Sequence, residues 1–334
     1  MIRIGINGFG RIGRYVTRMA LDRNDIDVVA VNDLADIHTL AHLFKYDSIH
    51  RGLKHSFKVE GNSFVFENGK KIEFYSAASP EQIAWTYNQV DFVIESTGRF
   101  LTTEDASRHL KGGARKVIIS APANSVEIPT IVMGINDNLL TGEEKIISNA
   151  SCTTNNAAPM VQVMKSLCTI EGCYISTVHS YTSDQRLHDA PHKDLRRARA
   201  AAQSIVPTST GAAKAITKIF PELHGITGGG SVRVPVADGS LTEITLVAPE
   251  KITIDQINAA MKHASETYLK GILAYTEDPI VSVDILGHPA SCLFDAGLTS
   301  VVGSMIKIVG WYDNEAGYSN RLLDLAVRLG QLEG

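Results

Sequence analysis

Residues 149–155 read Asn-Ala-Ser-Cys-Thr-Thr-Asn, which sets one cysteine, Cys152, among small hydroxyl and amide side chains. A cysteine that only packs normally has apolar neighbours and behaves as a small hydrophobe. Here the neighbours are hydrogen-bonders able to hold an anion or orient a substrate. The chemistry open to such a thiol is nucleophilic. A thiolate adding to an aldehyde carbonyl makes a thiohemiacetal, whose C–H can leave as hydride and leave a thioester behind. That step needs a lowered thiol pKa and a base nearby. Inert packing is the competing reading, because buried thiols are common.

The spacing predicts a helix from Asn155, so the helix's positive end would favour a thiolate at Cys152 just before it. A base is available on the strand expected over 174–179, which enters the polar loop Ser180-Tyr181-Thr182. Of eleven histidines, His179 is the one that ends an apolar strand, and a satisfied structural histidine is its rival reading. Anion-holding signals surround the pair. Residues 208–214, Thr-Ser-Thr-Gly-Ala-Ala-Lys, form a hydroxyl- and glycine-rich helix start,. Residues 193–199 are a local basic cluster, and Arg233 puts one charge within a strand. A thiol, a histidine and several anion holders in one region point to a phosphorylated substrate, or to phosphate as a second substrate.

A hydride needs an acceptor. Gly8-Phe9-Gly10-Arg11-Ile12-Gly13 matches G-x-G-x-x-G, with a strand before it, a helix after it, and Asp33 twenty residues beyond Gly13 at the end of the next strand,. Gly8 allows the tight turn, Gly10 lets backbone approach a pyrophosphate, and Gly13 lets helix and strand pack closely. Asp33 is placed to hydrogen-bond the ribose 2′-hydroxyl of NAD and to repel the 2′-phosphate of NADP.

The elements that must position these groups fall into two sets. Strands expected at 2–7, 28–32, 90–95, 116–120 and 145–148, with a helix at 11–21, imply βαβ units and a parallel sheet. Beyond residue 150 the pattern changes to helices at 155–167 and 253–269 and long strands at 174–182, 241–247, 281–285 and 305–312. The fold class is therefore an α/β Rossmann dinucleotide-binding domain, residues 1–150, plus an α+β catalytic domain with a mostly antiparallel sheet, residues 151–314. A C-terminal helix in 315–334 would return to the first domain. At 334 residues, about two domains is also the prior from length,.

With 44% hydrophobic and 20% charged residues and a net charge of −4, the chain has the balance of a soluble protein and no general field for nucleic acid or an anionic membrane,. No apolar run reaches bilayer length, and the N-terminus enters a strand without a signal peptide's apolar region. Four cysteines, none spaced as C-x-x-C, are too few to staple a chain of this size, so a reducing cytoplasm fits and no metal is assigned,.

Four segments together resemble phosphorylating glyceraldehyde-3-phosphate dehydrogenases over essentially the whole chain: residues 6–14, residues 148–155, the Ser-Thr-Gly-Ala-Ala-Lys of 209–214, and the Trp-Tyr-Asp-Asn-Glu of 311–315. The resemblance implies oxidation of D-glyceraldehyde 3-phosphate to 1,3-bisphosphoglycerate with NAD and inorganic phosphate, a step of glycolysis and gluconeogenesis. It implies Cys152 as nucleophile and His179 as its base. Ser151, Thr153, Thr210, Gly211 and Arg197 would hold inorganic phosphate or the substrate near the thioester, while Thr182 and Arg233 would bind the substrate's own phosphate. Arg11, Ile12, Asp33, Ser120 and Asn314 would contact NAD, with Asn314 orienting the nicotinamide carboxamide. A cytoplasmic homotetramer is also implied, residues 182–205 resembling the family's interface loop.

Three positions depart from many relatives. Asn156 stands where a second cysteine often follows the nucleophile, which leaves the chemistry intact and makes an intramolecular disulfide harder. Ala78 stands where an arginine often lies near the adenosine, which favours NAD. Ala190 stands where many strictly NAD-using members have a bulkier residue, which relaxes exclusion of NADP; Asp33 and Pro191 keep the reading with NAD. The rival activities are an erythrose-4-phosphate dehydrogenase, whose relatives tend to lose the segment intact here at 209–213, and a semialdehyde dehydrogenase of the aspartate type. A non-enzymatic NAD-binding or redox-sensing relative is the third.

Overall fold

The computed structural model describes residues 1–333, in two compact units. The first comprises residues 1–131 and 136–150 together with the chain from Ser319 onward, and the second comprises 132–135 and 151–318.

The first unit is built on β1 (Ile2–Asn7), α1 (Arg11–Ala20), β2 (Ile26–Asn32), α2 (Ile37–Lys45), β3 (Phe57–Glu60), β4 (Ser63–Phe66), β5 (Lys71–Tyr75), β6 (Phe92–Glu95), α3 (Thr103–Lys111), β7 (Lys116–Ile119) and β8 (Ile146–Ser148). The sheet runs β3-β4-β5-β2-β1-β6-β7-β8, parallel from β5 through β8. Ile4, Ile6, Val93, Ile94, Val117 and Ile118 are fully buried, the continuous apolar run that a sheet covered on both faces demands,. From β1 the chain order goes one way to β2 and the other way to β6, the switch point beside which open α/β sheets bind ligands,.

The strands β3, β4 and β5 form an antiparallel edge that the sequence reading did not anticipate. Phe74 of β5 and Phe44 of α2 have a purpose at the site. Phe9, between the first two glycines of the turn, packs at 5.3 Å from Phe44 and 5.4 Å from Phe74 (ring centroids), so the turn is pinned by an aromatic cluster beneath it,.

The second unit contains α4 (Cys152–Leu167), β9 (Gly172–Ser180), β10 (Val206–Thr208), α5 (Ala212–Ile219), β11 (Thr227–Val234), β12 (Ser240–Val247), α6 (Ile254–Glu266), β13 (Leu273–Thr276), β14 (Cys292–Asp295), β15 (Ser300–Val302), β16 (Met305–Tyr312) and the start of α7 (Ala316–Glu333). Its sheet runs β10-β11-β9-β12-β16-β14-β13, with β15 on β16. Only β9–β11 and β13–β14 are parallel pairs, so the sheet is mostly antiparallel. Along β12, Ser240, Thr242, Ile244 and Leu246 are buried and their neighbours are not, the period-2 pattern of a sheet covered on one face, where α4 packs against it,.

Two sequence expectations need correction. Residues 281–285 are not a strand: Ser282–Ile285 is a short 3-10 helix. Val281 and Val283 are exposed, and the Asp284 carboxylate accepts the Val281 N–H at 2.8 Å, so a side-chain bond closes a turn where alternation suggested a strand,. Helix α4 begins at Cys152, not at Asn155, because Ser151 supplies the cap.

Candidate active site

Cys152 is the first residue of α4, and the chain arrives there under strain. Ala150, with φ 57°, occupies the left-handed region that residues with a Cβ rarely adopt,. Ser151 caps the helix, its Oγ accepting the Thr154 N–H at 3.1 Å,. The thiol therefore sits at the positive end of a sixteen-residue helix, which favours thiolate,. Burial pushes the Cys152 thiol up, against the pull of the Arg233 charge and the Thr153 N–H, and burial prevails.

His179, near the end of β9, holds Nε2 3.6 Å from the Cys152 Sγ. The parallel register of β11 with β9 places Arg233 opposite His179. Arg233 Nη1 lies 2.7 Å from His179 Nδ1 and 3.0 Å from the Ser180 carbonyl oxygen, and Nδ1 is itself 2.8 Å from that carbonyl. One nitrogen cannot both accept from a guanidinium and donate to a carbonyl, so the neutral ring has two settings. With Nδ1–H donating to Ser180, Nε2 is a free lone pair facing the thiol. With Nδ1 accepting from Arg233, Nε2–H faces the sulfur and suits a thiolate. Burial, reinforced by Arg233, lowers the His179 pKa to about 3. Tyr312 stands edge-on to the imidazole at 5.9 Å, and its hydroxyl bonds Thr153 Oγ1 at 2.9 Å.

Asp184 gathers two of the side chains that the sequence offers as anion holders. Its carboxylate takes the Thr182 hydroxyl and pairs with Arg197. Arg197 Nε donates to Thr208 Oγ1 at 2.9 Å, which ties the loop after β9 to β10. Burial works against ionisation of Asp184, but the Thr182 hydroxyl and the charges of Arg197 and Arg233 outweigh it and hold its pKa low. Past Thr208 the chain reaches Thr210, whose Oγ1 accepts the Ala212 N–H at 3.1 Å, and Gly211, the N-cap of α5, where a Cβ would meet nothing within 4 Å. Asp184 escaped the sequence reading because a carboxylate has the wrong sign for an anion site; in the structure it orders Thr182 and Arg197.

In the first unit, the glycine turn meets its steric demands. Gly8 has φ 95° and a Cβ there would lie 2.9 Å from the backbone of Ser96 and Thr97, while one at Gly13 would lie 2.2 Å from the Gly8 carbonyl oxygen. Gly10 opens onto free space. Asp33 accepts the Phe9 N–H at 2.7 Å and the Ala35 N–H at 2.9 Å, one on each oxygen, leaving each a further lone pair,. A cavity of about 290 Å³ is lined by Gly8, Gly10, Asp33, Leu34 and Ala78 among others. This donor set fits an adenosine with its diphosphate: an open approach at Gly10, the N–H groups at the start of α1, and a carboxylate for a diol. Arg11, Ile12, Gly13 and Ser120 lie outside that lining. The Arg11 guanidinium is engaged by Asp47 at 2.6 and 3.2 Å; although burial opposes it, that bond and the His50 and Ile49 N–H groups hold Asp47 at about 2. What Arg11 and Ile12 offer a phosphate is therefore backbone N–H. Ser120 follows β7, its own N–H given to the Glu95 carbonyl.

Asn314, in the second unit, is buried, and its Oδ1 accepts from the hydroxyls of Ser180 and Ser240, each at 2.8 Å. Two donors on the oxygen fix the amide's orientation and turn its NH2 the other way. Neither serine was singled out from the sequence. Ser180 adjoins His179, which is a signal of a kind, but Ser240 carries none.

Comparison with known proteins agrees with this geometry. Residues 2–103 match the model of the glyceraldehyde 3-phosphate dehydrogenase NAD binding domain, and residues 151–314 match that of the C-terminal domain of the same family. The chain is 53% identical over 327 residues to a glyceraldehyde-3-phosphate dehydrogenase of Geobacillus stearothermophilus, covering 97% of each chain. It is 50% identical over 332 residues to glyceraldehyde-3-phosphate dehydrogenase 1 of Bacillus subtilis, covering 99% of this chain and 98% of the other. The chain belongs to the glyceraldehyde-3-phosphate dehydrogenase family.

Proposed function

We propose that this protein oxidises D-glyceraldehyde 3-phosphate to 1,3-bisphosphoglycerate with NAD and inorganic phosphate, with Cys152 as nucleophile and His179 as base. The observation that carries this reading is the 3.6 Å approach of Sγ to Nε2 at the start of α4, in a chain of this family. NAD, when bound, supplies the hydride acceptor. Everything else falls to the protein's own side chains.

With Nδ1–H held by the Ser180 carbonyl, Nε2 takes the thiol proton and the sulfur attacks the aldehyde carbon. The imidazolium returns that proton to the developing alkoxide, which gives the thiohemiacetal. As the C–H leaves as hydride, Nε2 takes the hydroxyl proton and a thioester remains on Cys152. Inorganic phosphate attacks the thioester carbon, the thiolate leaves, and the acyl phosphate forms. Thr182 and Arg233 hold the substrate's phosphate, while Ser151, Thr153, Arg197, Thr210 and Gly211 hold the attacking phosphate. Gly8, Gly10, Arg11, Ile12, Gly13, Asp33 and Ser120 bind the dinucleotide, and Asn314 orients its carboxamide through the NH2 that Ser180 and Ser240 leave outward.

The test is NADH formation from glyceraldehyde 3-phosphate with and without inorganic phosphate, in wild type and Cys152→Ser. Sustained turnover that requires phosphate and disappears in the variant is the expected outcome. A wild type that stops after one equivalent of NADH with phosphate present would refute the phosphate-site assignments, and no NADH at all would refute the substrate. No helix among the described residues is long and apolar enough to cross a membrane. A homotetramer in the cytoplasm belongs to the same proposal, and its mass in solution tests the assembly.

A further inference from the structure

A buried polar chain lies under the glycine turn, at the carboxyl ends of three adjacent strands. Asn7, Asn32 and Glu95 are the last residues of β1, β2 and β6, and the register sets Asn7 beside both of the others. All three are at most 4% exposed, as are His109 of α3 and Trp85. Trp85 Nε1–H can only donate, and it meets His109 Nδ1 at 3.2 Å,. Nδ1 is therefore the acceptor, the proton is on Nε2, and Nε2–H donates to Glu95 Oε2 at 3.0 Å. From the other side, Asn7 Nδ2 donates to the same oxygen at 2.6 Å, Asn32 Nδ2 donates to Asn7 Oδ1 at 2.8 Å, and the Ala77 N–H donates to Asn32 Oδ1 at 2.8 Å. Glu95 Oε1 takes the Thr97 N–H at 2.8 Å. The second hydrogen of the Asn32 amide goes the other way, to the Ala77 carbonyl oxygen at 3.0 Å, so Ala77 holds Asn32 through both its N–H and its C=O.

We propose that Glu95 is a cofactor-positioning residue: its buried carboxylate sets the direction of the hydrogen bonds through Asn7 and Asn32 to Ala77, and thereby fixes the wall of the dinucleotide cavity. Asn7, Asn32, Ala77 and Thr97 all line that cavity, whereas Glu95 and His109 lie outside its lining and act through them. A carboxylate accepts on both of its oxygens, an amide on one. The Glu95→Gln side chain therefore has two settings. With its NH2 toward Asn7 and His109, Asn7 and Asn32 must turn until the Asn32 NH2 confronts the Ala77 N–H, and His109 must move its proton to Nδ1 against the Trp85 N–H. With its NH2 toward Thr97, the Asn7 and His109 bonds survive and the NH2 confronts the Thr97 N–H. Either setting of a nearly isosteric change leaves a donor facing a donor at a residue that lines the cavity, Ala77 or Thr97,.

The experiment is NAD binding and steady-state kinetics on the full-length enzyme. Glu95→Gln is expected to raise the Kd and KM for NAD roughly tenfold, with the effect on KM rather than on kcat at saturating NAD. His109→Gln keeps a donor toward Glu95 and an acceptor for Trp85, so its Kd is expected within about threefold of wild type. Trp85→Phe leaves a cavity of its own, so the double variant is read against Trp85→Phe alone: in that background Glu95→Gln is expected to cost no more thermal stability than in wild type while the Kd stays raised,. If Glu95→Gln does not fold, Asn32→Leu, which cuts the chain between Asn7 and Ala77, carries the comparison and is expected to raise the Kd likewise. An NAD affinity unchanged in the variant that carries the comparison overturns the proposal, as does a Kd that follows thermal stability across these proteins.

Discussion

Arg233 Nη1 stands 2.7 Å from His179 Nδ1, on the side of the imidazole away from Cys152. The contact puts a permanent cation against the ring that, on the proposed mechanism, accepts the thiol's proton. An imidazolium beside a guanidinium is costly, which is why the His179 pKa falls to about 3 by burial with Arg233 as the next cause,. A phosphate drawing Arg233 to itself would relieve that cost and leave Nδ1–H to the Ser180 carbonyl. On the proposed mechanism, substrate binding and base activation would thus be linked through one side chain.

Replacing Arg233 separates the two effects. Arg233→Leu is expected to raise the KM for glyceraldehyde 3-phosphate by at least about tenfold, since a charge-assisted anion contact is lost. The same change removes the cation from Nδ1, so the acid limb of the kcat/KM profile moves to higher pH as His179 becomes easier to protonate. Arg233→Lys keeps the charge and is expected to leave the acid limb near its wild-type position while KM stays raised. An acid limb at the same pH in wild type and Arg233→Leu would show that the guanidinium does not set the basicity of His179.

If His179 is the base, it governs how much thiolate Cys152 offers. Burial raises the thiol, so without the base the nucleophile at neutral pH is scarce,. His179→Asn is expected to slow alkylation of Cys152 by iodoacetamide at about pH 7 by roughly 10–100-fold and to shift the alkylation profile upward in pH. Equal alkylation rates in the two proteins would mean that the helix end and Arg233 alone activate the sulfur.

The parts of this architecture legible in the sequence were those with a strict local demand. The glycine turn could be read because Gly8 needs φ 95° and Gly13 has no room for a Cβ, so other residues are excluded at those points,. The parallel core could be read because strands buried on both faces are continuous apolar runs. What stayed hidden depends on partners distant in the chain. Nothing near Ser240 shows that its hydroxyl will orient Asn314, and nothing near Asp184 shows that it will pair with Arg197. The antiparallel edge β3–β5 was missed because its strands are only four or five residues long, below the span at which alternation stands out. Residues 281–285 misled for the opposite reason: they alternate, yet their valines face solvent and a side-chain bond closes a turn.

Asp33 serves two purposes that one substitution can test together. Its oxygens receive the N–H groups of Phe9 and Ala35, so the carboxylate braces the glycine turn as well as facing the cavity. Asp33→Asn keeps one acceptor oxygen and puts an NH2 where the other was. NAD is expected to bind about 5–10-fold more weakly through loss of one turn bond and one ribose contact. NADP should lose less, because the charge repelling its 2′-phosphate is also gone. The ratio of kcat/KM values for the two cofactors is the measurement, and a ratio unchanged by the substitution would remove Asp33 from cofactor selection.

Asp238 carries the clearest pH signature of stability. It is 3% exposed and its Oδ1 accepts the Gly239 N–H at 2.8 Å. Burial, then the nearby carboxylates of Asp313 and Glu315, push its pKa up to about 9,. The Asp313 oxygens accept the N–H groups of Gly287, Glu315 and Ala316. The folded protein therefore keeps a proton on Asp238 that the unfolded chain releases above about pH 4. Between those limits the native state binds more protons, so stability falls as pH rises, by up to about 1.4 kcal/mol per pH unit. Asp238→Asn supplies an NH2 in place of the protonated oxygen and has no proton to lose. Denaturant unfolding at about pH 5 and about pH 8 should show the variant gaining at least about 1 kcal/mol more over wild type at the higher pH than at the lower. The same difference at both values would mean that Asp238 is ionised in the folded protein, compensated by its surroundings.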